Sequence, residues 1–183
     1  MFRRMMMAVA FAMICSLNSN AEDLILFGTD KGRLAGADET KGALSKITFD
    51  KDFLKMDGPN FWSSKWQHNS LAVDLTDAKP GDPLKIEVAG ALADQEPFLK
   101  IMFFSPDWSK NSSWIFDLSK IKKDEFTVVT AKTSLGDPAE KNGGGVVLTS
   151  IGNVMFFAGA KAGNSPWSIK IKSVSVGTAD AKK

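Results

Sequence analysis

Two tryptophans in a polar setting are the residues of this sequence best suited to chemistry, and the chemistry they suggest is binding. Trp62 and Trp66 are four residues apart and are followed by Gln67 and His68. That spacing places both indoles on one side of a strand or of a helical turn. An indole face can pack against the C–H face of a sugar ring, and neighbouring polar groups can hydrogen-bond its hydroxyls. We therefore predict that these four residues contact a carbohydrate. The alternative is that one or both indoles pack at the end of the sandwich core, because tryptophan is usually well buried.

A third tryptophan, Trp108, lies in the polar run Ser105–Ser112, which we interpret as a hairpin loop between two strands. A large apolar side chain at a polar loop tip is most simply explained by contact with a ligand. Asp107 and Asn111 would then supply hydrogen bonds. The alternative is an indole folded back over the rim of the domain.

The polar residues give no support for catalysis. His68 is the single histidine, whereas a catalytic triad needs a base with a nucleophile and an acid, and a zinc site needs several ligands. The acidic neighbours Asp50 and Asp52, or Asp38 and Glu39, are the only sequence basis for a small hydrolase, which would need two carboxylates facing each other across a cleft. We predict no catalytic residue, no cofactor and no metal.

The first 21 residues have the pattern of a secretory signal peptide. Arg3 and Arg4 precede an apolar run over residues 5–17, and the small residues Ser19 and Ala21 suit positions −3 and −1 of a cleavage site before Glu22. The run is shorter than the about 20 apolar residues that span a bilayer. A lipoprotein would need a small residue before its cysteine, but Cys15 follows Met13 and Ile14. We expect a secreted or periplasmic protein.

Cleavage there would change the composition of the chain. The 162 residues left would contain no cysteine and would carry 21 basic residues against 21 acidic ones. Disulfides and thiol chemistry would then be excluded, and a near-zero net charge gives no basic footprint for nucleic acid. This length suits one domain with a real core.

The pattern of apolar and polar residues in most of the remaining sequence predicts strands separated by turns. Residues 84–89 alternate apolar and charged side chains, and residues 71–75 alternate in the same way, with a Pro/Gly-rich turn between them. Phe98–Phe104 is more continuously apolar, as expected of a central strand covered on both faces, which would place Phe98, Phe103 and Phe104 in the core. Further strands are predicted at 24–27, 47–49, 114–118, 126–130, 146–148, 154–158 and 167–176.

The spacing of these strands predicts an all-β fold, an antiparallel β-sandwich of jelly-roll type with two sheets. One domain should span residues 22–177, with a loop at 28–42 and a flexible tail at 178–183. Trp114 and Trp167 are in phase with inward residues and should lie in the core. In the last strand the apolar phase slips between Ile171 and Val174, which predicts a β-bulge near Lys172 and Ser173.

The order of these strands, from the Trp62 segment to the closing strand SPWSIKIKSVSVG, resembles the galactose-binding-like jelly rolls of carbohydrate-binding modules in secreted glycosidases. The resemblance covers residues 47–177 and implies a non-catalytic domain that binds carbohydrate. Many such domains hold a structural calcium through acidic residues, often an Ile-Asp pair in the closing strand. Here that stretch is Ile169-Lys170-Ile171-Lys172, and lysines would repel the cation, so the calcium site is expected to be absent.

A function of a different class stays open at this point. An envelope structural or assembly protein could use the same sandwich to bind another protein through a sheet edge or its loops. That function would require a contiguous apolar surface patch of more than a few hundred Å².

The absence of tyrosine from the sequence counts against the carbohydrate hypothesis, because tyrosine is common in sugar sites.

Overall fold

The chain folds as an antiparallel β-sandwich, as predicted. The computed structural model describes residues 22–23, 33–34, 46–50, 52–58, 64–73, 75–91, 97–160 and 166–177. The strands within these ranges are β1 (Glu22–Asp23), β2 (Arg33–Leu34), β3 (Lys46–Phe49), β4 (Leu54–Gly58), β5 (Ser64–Val73), β6 (Pro83–Ala91), β7 (Pro97–Phe104), β8 (Asn111–Asp117), β9 (Thr127–Ser134), β10 (Glu140–Asn142), β11 (Ile151–Ala160) and β12 (Trp167–Val176).

Two sheets are formed by these strands. The first sheet has the order β2-β5-β11-β7-β8, and β10 pairs with the far side of β8. The second sheet has the order β9-β6-β12-β4-β3, and β1 pairs with β12. The two sheets join along one side, where Phe116 of β8 pairs with Ala131 of β9. Every pairing between described strands is antiparallel.

The core lies between the inner faces of the sheets. Strict alternation along β4 and most of β12 buries every second side chain, as expected of strands with one face on a core. Trp114 and Trp167 are buried, as predicted, and the Trp114 indole N–H donates a hydrogen bond to the Ser134 carbonyl at 2.9 Å. The largest fully buried side chains are Trp66, Trp114, Trp167, Phe103, Phe116, Phe156, Leu54, Met56, Leu84, Ile86, Leu99 and Ile101.

The predicted bulge in the last strand is confirmed. The register between β12 and β6 shifts between Ile171 and Ser173. Ile171 and Val174 are both fully buried even though they are three residues apart. The extra residue, Lys172, therefore keeps the apolar residues on both sides of it directed at the core.

Three predictions about local structure need correction. Val146–Leu148 is an irregular segment rather than a strand; the Val146 N–H is bonded by the Ser112 hydroxyl instead of by a neighbouring strand. The segment 28–42 contains β2, which pairs with β5 through Arg33–Gln67 and Leu34–Trp66. The strand predicted at 71–75 begins much earlier, because β5 already starts at Ser64.

The fourth correction concerns β7 and has the largest consequence for function. β7 is central in its sheet, between β11 and β8, but it is not covered on both faces. Leu99, Ile101 and Phe103 are fully buried, whereas Phe98 and Lys100 are half-buried. Phe98 is thus outside the core, and the outer side of the first sheet is open at its centre.

The predicted leader at residues 1–21, the strand at 24–27 and the tail at 178–183 lie outside the described residues.

Candidate functional site

The outer side of the first sheet carries a set of half-buried aromatic, apolar and polar side chains. We call this set the first-sheet face. It comprises Lys65 and Gln67 of β5, Met155 and Phe157 of β11, Phe98, Lys100 and Met102 of β7, and Asn111 and Ile115 of β8.

The register of the sheet aligns these residues in rows across the strands. Phe157 pairs with Lys65 on one side and with Lys100 on the other. Met155 pairs with Gln67 and with Met102 in the same way. Directly opposed residues of antiparallel strands share a face and lie about 5 Å apart. The rows therefore form one continuous surface in which apolar side chains lie beside Lys65, Gln67 and Lys100.

Two phenylalanines occupy one end of this surface. The ring centroids of Phe98 and Phe157 are 5.4 Å apart, with an interplanar angle of 42°. The Lys65 ammonium lies 5.2 Å from the centroid of the Phe157 ring, within the distance at which a cation is attracted to an aromatic face.

An ion pair lies at the β8 side of the face. The Lys100 ammonium is 2.7 Å from a carboxylate oxygen of Glu140, and the Ser113 hydroxyl donates to the same oxygen at 3.2 Å. The hydrogen bond from Lys100 is the main cause that lowers the pKa of Glu140 below its ordinary value. Glu140 is therefore held as a carboxylate at neutral pH.

Trp66 does not lie on this surface. Its side chain is 1% exposed and stacks on Phe156 at 5.2 Å with an interplanar angle of 16°, and Phe49 packs against it at 6.1 Å. Successive side chains of a strand point to opposite faces, so β5 directs Trp66 into the core and Gln67 outward. The expectation that Trp66 stacks on a sugar is corrected: its indole belongs to the core.

Trp108 lies in the β7–β8 loop and is 36% exposed. Its ring centroid is 4.7 Å from that of Phe104, at an interplanar angle of 46°. Its backbone has φ of +63°, a conformation that is uncommon for a bulky residue and costs of order 1–3 kcal/mol. The loop thus holds the indole at the end of β7 and leaves part of it open to solvent.

Asp107 organises this loop from within. Its carboxylate accepts hydrogen bonds from the hydroxyls of Ser105 and Ser109 and from the Ser109 backbone N–H at 3.1 Å. These bonds, with those from the Ser105 hydroxyl contributing most, lower the pKa of Asp107 from 3.8 to about 2. The described hydrogen bonds of Asp107 are all within the loop, and its contact with a ligand stays a prediction.

This network predicts an unusual acid titration. Because the pKa is depressed in the folded protein, ionised Asp107 stabilises the loop above pH 3.8, and this contribution is lost as the pH falls through about 2. In a carboxyl-carbon NMR titration, we expect a midpoint near pH 2 for Asp107. Replacing both Ser105 and Ser109 by alanine should move the midpoint up towards 3.8. An unchanged midpoint in the double variant would contradict the assigned cause.

The loop is anchored to β11 by a buried amide. Asn153 is 3% exposed, and its Nδ2 donates to the Ser105 carbonyl at 2.9 Å. A cleft of about 350 Å³ lies between the loop and the turn formed by Val147 and Ser150. The hydrogen bond from Asn153 of β11, the central strand of the first sheet, thus helps to hold the loop that carries Trp108.

The other sequence-predicted site residues are divided by the fold. Gln67 and Asn111 lie on the first-sheet face, and Asn111 pairs with Phe104, the residue against which Trp108 packs. His68 pairs through its backbone with Val154. Trp62 lies outside the described residues.

The acidic residues of the described ranges form no metal-binding group. Among those residues, no group of three or more His, Cys, Asp or Glu side chains is placed to hold a metal ion. Asp50 and Asp52 lie in the β3–β4 hairpin turn, where the Asp50 carboxylate accepts a bond from the Asp52 N–H at 3.4 Å. Asp38 and Glu39 lie outside the described residues.

Sequence reasoning missed the phenylalanines, methionines and lysines of the first-sheet face. The signal was Lys100, a charged residue in the middle of the apolar run that became β7. In a strand, every second side chain lies on the same face. A lysine at position 100 therefore indicates that its face is accessible to solvent, and Phe98 and Met102 lie on that same face.

No helix of the described part of the chain is long and apolar enough to cross a membrane.

Comparison with solved structures supports the architecture. The chain is similar to part of an agarase, with a TM-score of 0.54 and 10% identity over 89% of this chain, and it corresponds to only 25% of that enzyme. It is also similar to the family 30 carbohydrate-binding module of a cellulosomal cellulase of Clostridium thermocellum, with a TM-score of 0.54 and 12% identity over 88% of this chain and 99% of the module. No protein-family model and no curated protein matches the sequence. The chain therefore has the jelly-roll sandwich fold found in carbohydrate-binding modules.

Proposed function

We propose that the protein is a non-catalytic carbohydrate-binding domain and that the first-sheet face is its binding surface. The observation that carries the proposal is the half-buried pair Phe98 and Phe157, 5.4 Å apart on an open sheet face. Aromatic rings of this kind supply contact area to the apolar side of a sugar ring, while the surrounding polar ends can bond its hydroxyls.

The fold similarity supports this function independently of the site. The match extends over nearly the whole of a carbohydrate-binding module, and an agarase contains a similar domain as a quarter of its length. Fold alone leaves function open. We therefore rest the proposal on the combination of the fold and an aromatic surface with polar flanks.

Trp108 extends the proposed surface at the other end of β7. It contacts Phe104, which shares its row with Asn111. A part-exposed indole held by a well-bonded loop is pre-organised for contact with a ligand, since little side-chain freedom remains to be lost on binding.

We further propose that the protein acts outside the cytoplasm after cleavage behind Ala21. The basic start, the apolar run and the small pair Ser19 and Ala21 support this. N-terminal sequencing of the exported protein tests it, with Glu22 as the expected first residue.

The alternative of an assembly protein receives less support. Among the described residues the exposed large apolar side chains are Trp108, Val128 and Val147. Val128 pairs with Glu87 in the second sheet, so it lies apart from the β7–β8 loop that carries Trp108, and these three side chains do not form one surface patch.

The second sheet offers a matched control for the binding experiment. On that sheet, Phe53 and Phe126 also form a tilted pair, 6.1 Å apart, and the Lys170 ammonium lies 5.7 Å from the centroid of the Phe53 ring. The two surfaces thus present similar groups on opposite sides of the molecule.

We expect Phe157→Ala to weaken binding on a glycan array and in titration calorimetry by about tenfold, which is the loss of one aromatic contact of about 1.4 kcal/mol. Phe98→Ala should act in the same direction. Phe53→Ala should leave binding unchanged. Loss of binding with Phe53→Ala, together with full binding by Phe157→Ala, would place the site on the other sheet and overturn the proposal.

A further inference from the structure

The charges on the first-sheet face indicate which class of glycan it binds. Lys100, Lys170 and Lys172 are strand lysines of the two outer surfaces, and each lies within 3.3 Å of a carboxylate oxygen. Lys65 differs from these three. Among the residues that the structure describes, its ammonium contacts the Phe157 ring and no carboxylate.

The position of Lys65 makes this difference relevant to binding. Its side chain is half-buried beside the proposed contact ring. A ligand stacked on Phe157 would remove further water from the ammonium. Burial of a charge without a partner is costly, and the cost grows as water is excluded. A neutral glycan would leave this cost uncompensated, whereas an acidic group on the glycan would turn the same ammonium into a source of affinity.

A second lysine strengthens the pattern. Phe157 lies between Lys65 and Lys100 in one row, so a lysine stands on the neighbouring strand at each side of Phe157, and neighbouring strands are about 4.8 Å apart. Lys100 is bound to Glu140, but the Glu140 side chain is 56% exposed. The Lys100 side chain is only 20% exposed, but the carboxylate end of the pair reaches solvent, so an anionic group of a ligand can compete with Glu140 for the Lys100 ammonium.

We infer that the glycan bound on this face is acidic, with a sugar ring on Phe157 and a carboxylate or sulfate group on Lys65. This inference rests on the proposed carbohydrate-binding function and specifies the class of its ligand. A uronic acid and a sulfate ester present the same chemistry to an ammonium group, namely anionic oxygens that accept its hydrogen bonds.

The test is titration calorimetry of the full chain with three hexasaccharides: an oligogalacturonate, a sulfated galactan and a neutral β-1,4-glucan. The oligogalacturonate and the sulfated galactan distinguish the two sources of the anion. We expect Lys65→Met to weaken binding of the acidic ligand about tenfold at low salt, as befits one charge-assisted hydrogen bond. Methionine keeps an apolar stem over Phe157, so the stacking surface is retained. Raising the salt concentration should weaken wild-type binding in the same direction.

The reciprocal variant should raise affinity. Glu140→Gln removes the negative charge that competes for Lys100, and we expect binding of the acidic ligand to strengthen about threefold. The control is Lys85→Met, a half-buried strand lysine on the opposite sheet, which should change nothing.

Two results would overturn the inference. One is binding of the acidic hexasaccharides that neither Lys65→Met nor Glu140→Gln alters. The other is a preference for the neutral glucan that Lys65→Met leaves intact or improves. Both would leave the proposed function standing if Phe157→Ala still weakens binding, whereas binding that Phe157→Ala does not affect would remove the proposed function as well.

Discussion

Trp66→Ala is expected to lower the free energy of unfolding by about 3–5 kcal/mol, the usual cost of truncating a buried aromatic residue to alanine. The Trp66 side chain is 1% exposed and stacks on Phe156 at 5.2 Å. Its removal opens a cavity at the contact between β5 and β11 that neighbouring strands cannot close. For a domain of this size, the melting temperature should fall by on the order of 10 °C. Urea denaturation and thermal melting measure both quantities.

Trp108→Ala is the matched variant for this experiment. The Trp108 indole is 36% exposed and contacts Phe104 from outside the core. Its truncation should cost less than about 1 kcal/mol, as is usual for surface positions, and should weaken glycan binding. If Trp66→Ala instead kept its melting temperature and lost glycan binding, the placement of Trp66 in the core would be contradicted.

The contrast between these tryptophans shows what the sequence can and cannot predict. The polar neighbours of Trp66 suggested an exposed platform, but in a strand the neighbours at one residue's distance lie on the opposite face. Gln67 is therefore informative about its own side of β5 and uninformative about Trp66. For Trp108 the loop was correctly predicted. Residues of a loop do not alternate between two faces as those of a strand do, so the polar neighbours of Trp108 do indicate an exposed setting.

The fold itself was predictable because several independent patterns agreed. Alternation at 84–89, the turn before it and the phase slip near Lys172 all correspond to features of the structure: β6, the turn that precedes it and the bulge in β12. Local patterns of this kind fix strand type and facing. They do not determine which strands become neighbours in a sheet. The side chains that meet on the outer face of the sheet therefore cannot be predicted from local patterns, because the order of the strands depends on contacts between segments distant in sequence.

The candidate site was hidden for that reason. Phe157 of β11 and Phe98 of β7 are 59 positions apart in the numbering but meet at 5.4 Å because these strands are neighbours in the first sheet. A charge count has the same limit: a balanced total of basic and acidic residues does not show that the Lys65 ammonium lies 5.2 Å from the centroid of the Phe157 ring.

Gly152→Ala is expected to connect fold and site in a single variant. A Cβ atom added at Gly152 would lie 2.5 Å from the Cα of Pro106, far inside van der Waals contact. Pro106 is part of the loop that carries Trp108, and the neighbouring Ser105 carbonyl is bonded by the buried Asn153 amide. Since the obstructing atom is backbone, no side-chain rotation can relieve the overlap. The loop has to move away from β11, and we expect a cost of about 1–3 kcal/mol, as for other overpacked sites.

The displaced loop should carry Trp108 with it. The Trp108 indole resonance should therefore shift in the NMR spectrum of Gly152→Ala, and glycan affinity should fall although no ligand-facing side chain has been replaced. Gly81→Ala is the control, because a Cβ atom there would meet nothing within 4 Å; it should leave binding unchanged and raise stability by about 0.4–1 kcal/mol through the unfolded chain. A Gly152→Ala variant with wild-type stability and an unmoved Trp108 resonance would show that the loop yields without cost. The close packing of β11 against Pro106 would then have no part in holding the indole at the edge of the first-sheet face.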